Sequence, residues 1–228
     1  MPALYKALLH AFGPQNWWPG DTPFEIAIGA ILTQNTNWSN VEKAIVKMKL
    51  AKMVNAKALH DLPHGDLAEL IRPAGYFNVK AKRVKAFVAY LASAYDGSMA
   101  KMKKQRLDEL RPELLAVNGI GPETADSILL YALEKPVFVI DAYTKRVLSR
   151  HGVLPYEKSY DEFQGLFHKH LPHEAGLFNE YHALFVRIGK EFCKPAPRCS
   201  VCPLGTMEKR KMQFTTPDNA STMNPAKR

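Results

Sequence analysis

An all-α fold is predicted by three features of the chain. Apolar residues recur at helical spacing along most of its length; the one β-branched run, residues 137–140, is four residues long; and no strand–helix alternation or internal repeat appears. Residues 2–12 carry Leu4, Leu8, Leu9 and Phe12 at helical spacing, and the breaker-rich GPQNWWPGDTP stretch after them reads as a loop. A helix over 23–32 follows, with Asp21 or Thr22 as its cap and Pro23 in its first turn. Helical spacing continues over 41–48 and 59–71, until Pro73-Ala74-Gly75 breaks it. Residues 78–95 form a long amphipathic helix with Val84, Phe87, Val88 and Leu91 on one face. Helices over 106–117 and 122–133 are joined by Asn118-Gly119-Ile120-Gly121. Asp141 ends the 137–140 run and caps a helix over 142–151. Helices over 160–170 and 178–192 complete the set, and the polar residues 205–228 read as a solvated or disordered tail.

Composition narrows the function. The 228 residues are 46% hydrophobic and 23% charged, an ordinary globular balance that folds without disulfide staples. No apolar run approaches the ~18 residues that cross a bilayer, and the N-terminus lacks a signal-peptide core. All three cysteines lie between 193 and 202, which argues against a secreted disulfide framework and for a cytosolic protein. A formal charge of +9 favours an anionic partner, nucleic acid first. Between residues 80 and 111, Lys80, Lys82, Arg83, Lys85, Lys101, Lys103, Lys104, Arg106 and Arg111 face only Asp96, Asp108 and Glu109. Such a run is either a solvated face or a set of phosphate contacts.

The segment 114–127 places a Gly-Ile-Gly turn between two apolar stretches. Gly119 and Gly121 permit positive φ and close backbone approach, and the helix beginning near Pro122 aims its free N–H groups outward. That geometry accepts a phosphate without reading bases; the bland alternative is a glycine-containing link between packed helices. Asp141, twenty residues beyond Gly121, is read either as a helix cap or as a functional carboxylate.

Four ordered strings carry a resemblance: Ile31-Leu32-Thr33-Gln34-Asn35-Thr36, Gly75-Tyr76-Phe77-Asn78-Val79-Lys80-Ala81, Val117-Asn118-Gly119-Ile120-Gly121 and Val139-Ile140-Asp141. With the cysteine cluster, they make most of residues 20–204 resemble the endonuclease III-like DNA glycosylases of the helix-hairpin-helix superfamily. The resemblance implies a two-lobed all-α fold with the active site in the interlobe cleft. It assigns roughly 24–132 to a central lobe and 1–23 with 133–204 to a second. It also implies a monomer acting on damaged double-stranded DNA in the cytoplasm, with no membrane partner.

Within that family, lyase members carry a Lys two residues after the second hairpin glycine, where this chain has Glu123. A carboxylate forms no Schiff base, so the resemblance implies a monofunctional hydrolase with Asp141 stabilising the sugar cation and positioning water. Lys190 is a candidate assistant. The strings from Gly119 to Ala132, and Trp17-Trp18-Pro19 before Leu32-Thr33-Gln34, look like the 3-methyladenine glycosylase branch. Trp17, Trp18, Pro19 and Trp38 are then candidates to hold a flipped, cationic base. By the family pattern, Gln34 fills the gap left in the duplex and Tyr76 wedges the opposite strand. Gly119, Gly121, Thr124, Lys145 and Arg146 are candidate DNA contacts. The alternatives are a glycosylase for a mismatched or oxidised base, and a catalytically silent hairpin protein that binds DNA.

Cys193, Cys199 and Cys202 match the first three ligands of the family's [4Fe–4S] loop, but Glu208 stands where the fourth is expected. Such clusters ordinarily take four thiolates. The loop is therefore metal-free, a cluster with a non-Cys ligand, or a zinc site borrowing a His; the chemistry itself is expected to need no cofactor.

Overall fold

The computed structural model describes residues 2–205, and among them every regular element is helical. The helices are α1 (Pro2–Phe12), α2 (Pro23–Leu32), α3 (Trp38–Leu50), α4 (Ala56–Asp61), α5 (His64–Leu70), α6 (Phe77–Tyr95), α7 (Met99–Lys104), α8 (Leu107–Ala116), α9 (Pro122–Ser127), α10 (Ala142–Arg150), α11 (Tyr160–His170) and α12 (Ala175–Glu191). A π-helical stretch, Ile128–Ala132, continues α9, and 3₁₀ turns occupy Arg72–Ala74 and Cys199–Val201. The polar tail expected over 205–228 falls outside the described residues except for Gly205.

The chain forms two compact units. The larger contains residues 14–141 and 172–183; the smaller contains 2–13, 142–171 and 184–205 of the described residues. This division moves 14–23, 133–141 and 172–183 out of the lobe to which the sequence assigned them. The reason is packing: buried Phe138 meets the rings of Phe178 and Tyr181 at 5.4 and 5.9 Å, and Gln15 N donates to Glu180 Oε1 at 2.8 Å.

The larger unit is built around α2, where Ala27, Ile28, Ile31 and Leu32 are fully buried among α3, α6, α9 and the π stretch. Thr22 caps α2 by accepting the Glu25 N–H at 3.1 Å, and Pro23 takes the first turn, where its missing N–H costs nothing. Along α6, Val84, Phe87, Val88 and Leu91 turn inward, and α4 and α5 pack against it. The pattern expected as one helix over 59–71 is broken into α4 and α5 because Pro63 disfavours the helical conformation of Leu62. Residues 137–140 are buried but pair with no strand; their β-branched side chains serve burial alone.

In the smaller unit, α10 lies against α12 where Gly189 leaves room: a Cβ there would collide with the Tyr143 ring. Ser159 and Glu162 close a full capping box on α11.

Candidate active site

The hairpin between α8 and α9 sets the frame of the site. Gly119 adopts φ +84°, and a side chain on it would strike Arg83 from α6, so this position requires glycine twice over. Gly121 is different from the expectation: its φ of −93° is open to any residue, and a Cβ there meets only space. Asp126, fully buried on α9, receives a bidentate guanidinium from Arg111 on α8 at 2.7 and 3.1 Å, which ties the two helices together. Gln34, at the end of α2, donates to Gly119 O at 3.1 Å and to Thr124 Oγ1 at 2.7 Å, and its Oε1 accepts from Arg83. Gln34 and buried Thr124 thus hold the hairpin, with both N–H groups of the Gln34 amide engaged.

Asp141 leaves the buried 137–140 run with 12% of its side chain accessible. Glu123, in the first turn of α9, has an exposed flank, but protein crowding around its carboxyl and the negative charge of Asp141 push its pKa up to about 7. A first-turn acid serving only the helix dipole would shift downward; here burial and Asp141 outweigh that effect. A carboxyl raised in this way beside a second carboxylate is a pattern common at acid–base sites and also found in structural clusters.

An aromatic group adjoins them in the same unit. Trp18 stacks on Tyr131 with centroids 4.8 Å apart, Trp38 meets Trp18 edge-on at 5.0 Å, and Trp17 does so at 5.5 Å. Gly29 on α2 lies under this group, where a Cβ would make ordinary contact with Trp18 and Trp38 at 3.6 Å. The Trp18 indole N–H is buried without a hydrogen-bond acceptor. Tyr131 stands on the π stretch, a local widening that often marks functional positions, and its hydroxyl is hydrogen-bonded to His182 Nδ1. His182 Nε2 lies 3.7 Å from Asp141 Oδ2. Burial lowers the His182 pKa, with Asp141 opposing, so the ring is held toward its neutral form.

His182 and Tyr131 were not singled out by the sequence. A lone His in an apolar helix reads as core, and only its contacts with Tyr131 and Asp141 give it away.

The remaining candidates are spread out. Tyr76 is 73% exposed, lifted by its left-handed backbone (φ +47°) at the start of α6. Pro19 is exposed in the loop before α2. Lys190 is exposed on α12 in the smaller unit.

Much of the basic run is spent internally. Lys80 is buried and donates to Ala74 O at 2.7 Å. Lys85 caps the carbonyls of Leu59, His60 and Leu62, and Lys101, Lys103 and Arg106 pair with Asp96, Glu134 and Asp108. Lys145 donates to Lys158 O at 2.8 Å over the rings of Tyr156 and Phe163. Arg146 donates to Cys193 O at 2.6 Å and Gly189 O at 3.1 Å.

Cys193 is buried, Cys202 half-buried and Cys199 exposed, and all three line one cavity with His151. Among the described residues, no three His, Cys, Asp or Glu side chains converge as metal ligands, and the chain has no fourth cysteine. These residues do not fit a four-thiolate cluster. The loop is instead gripped by Arg146 and by Arg150, which donates to Lys194 O, Pro195 O and Cys193 Sγ.

Residues 28–173 match the family described as HhH-GPD superfamily base excision DNA repair protein. The chain belongs to that family. It is 48% identical over 203 residues, 88% of this chain and 92% of the other, to the candidate DNA repair glycosylase MJ1434 of Methanocaldococcus jannaschii. It is 28% identical to endonuclease III of Thermotoga maritima, over 79% of each chain. The crystal structure of H. pylori 3-methyladenine DNA glycosylase (MagIII) bound to 1,N6-ethenoadenine superposes with a TM-score of 0.71 at 30% identity, covering 83% of this chain and 96% of that one. A trapped endonuclease III–DNA covalent intermediate shares the fold at TM-score 0.77 and 24% identity, covering 92% and 95%. The protein is thus a DNA repair glycosylase of the HhH-GPD family. No described helix is long and apolar enough to cross a membrane.

Proposed function

We propose that this glycosylase is monofunctional and hydrolyses the N-glycosidic bond of alkylated purines in double-stranded DNA, 3-methyladenine chiefly and 7-methylguanine with it. The observation that carries the reading is the Trp17–Trp18–Trp38–Tyr131 group, joined through His182 to Asp141. A purine methylated at N3 or N7 is cationic. Flipped out of the duplex, it gains cation–π attraction of about 0.5–2 kcal/mol from an indole face. Such a base departs as a neutral molecule, so the enzyme needs no strong general acid. Asp141 supplies the negative charge that stabilises the oxocarbenium-like sugar and aligns the attacking water. The similarity to MagIII supports the same substrate class.

Glu123 supports hydrolysis over lyase chemistry. It offers a carboxyl group where a nucleophilic amine would be required, and none of its oxygens can form a Schiff base. Tyr76, presented on its left-handed turn, is suited to enter the duplex beside the lesion, and the hairpin at Gly119–Gly121 to meet the backbone. In this reading the enzyme acts as a monomer in the cytoplasm, and the bond-breaking step calls on no cofactor.

The test is base release from duplexes carrying methylated purines, mismatched bases or oxidised bases, with Asp141→Asn beside wild type. Release of 3-methyladenine by wild type alone is the expected result. Release confined to a mismatched or oxidised base would replace the substrate assignment, and binding without any release would mean a silent DNA-binding protein.

A further inference from the structure

The hydrolytic step described above leaves two buried polar side chains unused, and they lead to the carboxylate. Tyr131 is buried, and burial together with Asp141 and Glu123 holds its phenol well above the usual range, so its O–H keeps its proton. That hydrogen is available to the hydrogen bond with His182 Nδ1. A neutral imidazole that accepts at Nδ1 carries its own hydrogen on Nε2. Nε2 is buried, makes no hydrogen bond, and lies 3.7 Å from Asp141 Oδ2. Phe138 flanks the imidazole edge-on at 6.3 Å.

We propose that His182 is a positioning residue for Asp141, with Tyr131 fixing the tautomer that points Nε2–H at the carboxylate. The inference rests on Asp141 acting as proposed above. The 3.7 Å separation exceeds a hydrogen bond, and catalytic hydrogen bonds commonly tighten only in the substrate complex. No proton is transferred. The Nε2–H aims the carboxylate while positive charge grows on the sugar. Because Tyr131 also stacks on Trp18, one side chain serves both the base wall and the carboxylate. Among the groups facing Asp141 in this unit are His182, Glu123 and Tyr131.

Two measurements on the full chain test this. In the first, ¹⁵N-histidine NMR between pH 5 and 8, with His182 assigned through His182→Gln, reports the tautomer without any substrate. A neutral Nε2–H ring throughout, with mixed tautomers in Tyr131→Phe, is expected. An Nδ1–H ring or an imidazolium overturns the proposal, whatever lesion the enzyme prefers.

In the second, single-turnover base release is followed against pH on whichever lesion wild type releases. His182→Leu, which removes the donor, should slow release by about 10–100-fold, the range for a hydrogen bond to a charged group, and should move the acid limb to higher pH with DNA affinity kept. His182→Gln, which keeps an N–H near the Nε2 position, should recover most of the rate. Glu123→Gln serves as the control for the other carboxyl group facing Asp141. Equal losses in His182→Leu and His182→Gln at every pH, with the limb unmoved, would mean that His182 only fills space. Absence of alkylpurine release by wild type would instead fault the substrate assignment, leaving the NMR result to decide the proposal.

Discussion

The aromatic site of the larger unit and the cysteine loop of the smaller one carry equally conspicuous sequence signals, yet their polar groups are treated in opposite ways. At the loop, Arg146 and Arg150 donate to four backbone carbonyls and to Cys193 Sγ. Around Asp141 polar groups are held in reserve. The Trp18 N–H and His182 Nε2 lack hydrogen-bond acceptors, and Glu123 is raised to about 7 beside a second carboxylate. Buried polar groups left unmade cost stability, and a fold retains such costs where a ligand will meet them. Buried unpaired groups such as Ser149 Oγ also occur in the smaller unit, so the His182 donor takes its meaning from the carboxylate beside it.

That contrast can be broken most sharply at Asp141. Asp141→Asn is expected to slow single-turnover base release by about 10²–10⁴-fold with DNA affinity retained in a filter or anisotropy assay; a loss below tenfold would move the chemistry elsewhere. Next in size, Trp18→Ala should weaken or slow processing of an alkylated base by about 10–100-fold, consistent with the stacking lost per base, and Trp18→Phe should restore part of it. On the scaffold side, Arg150→Met should lower stability by about 1–3 kcal/mol, because it strands carbonyls of the loop. Calorimetry would show this as a lower Tm, while the release rate per folded molecule stays unchanged.

The smallest effect sharpens the contrast through pH. Glu123 is raised in the folded state, so it binds its proton more tightly there than in the unfolded chain. Folding stability therefore falls as pH rises from the ordinary carboxyl range through about 7. Glu123→Gln should match wild type near pH 4 and exceed its Tm by about 1–2 °C at pH 8, a modest shift because solvent reaches the flank of Glu123.

Much of the fold was legible. Periodicity located α2, α6, α8 and α11 because each buries one continuous face, and the hairpin and Asp141 stood out as strings. Three kinds of feature did not. Pro63 splits one apolar pattern into α4 and α5, and α7 forms within a basic stretch whose apolar share is Met99 and Met102. The π stretch looks like ordinary helix in sequence, since its extra residue changes geometry and not composition. In the site, the tryptophans and Asp141 were readable as residue types, whereas His182 and Tyr131 gain meaning only from partners 51 residues apart. The basic run was read as a solvated face or a set of phosphate contacts, and neither describes Lys80, Lys85 and Arg111, which hold Ala74, the end of α4 and Asp126.

The most direct test of the central claim, hydrolysis by a carboxylate site without an amine nucleophile, is a strand-integrity assay on a duplex with one methylated purine, run with and without borohydride. The account predicts base loss with the strand intact until alkali is added, and no protein–DNA adduct. A borohydride-trapped adduct, or strand breaks without alkali, would contradict it.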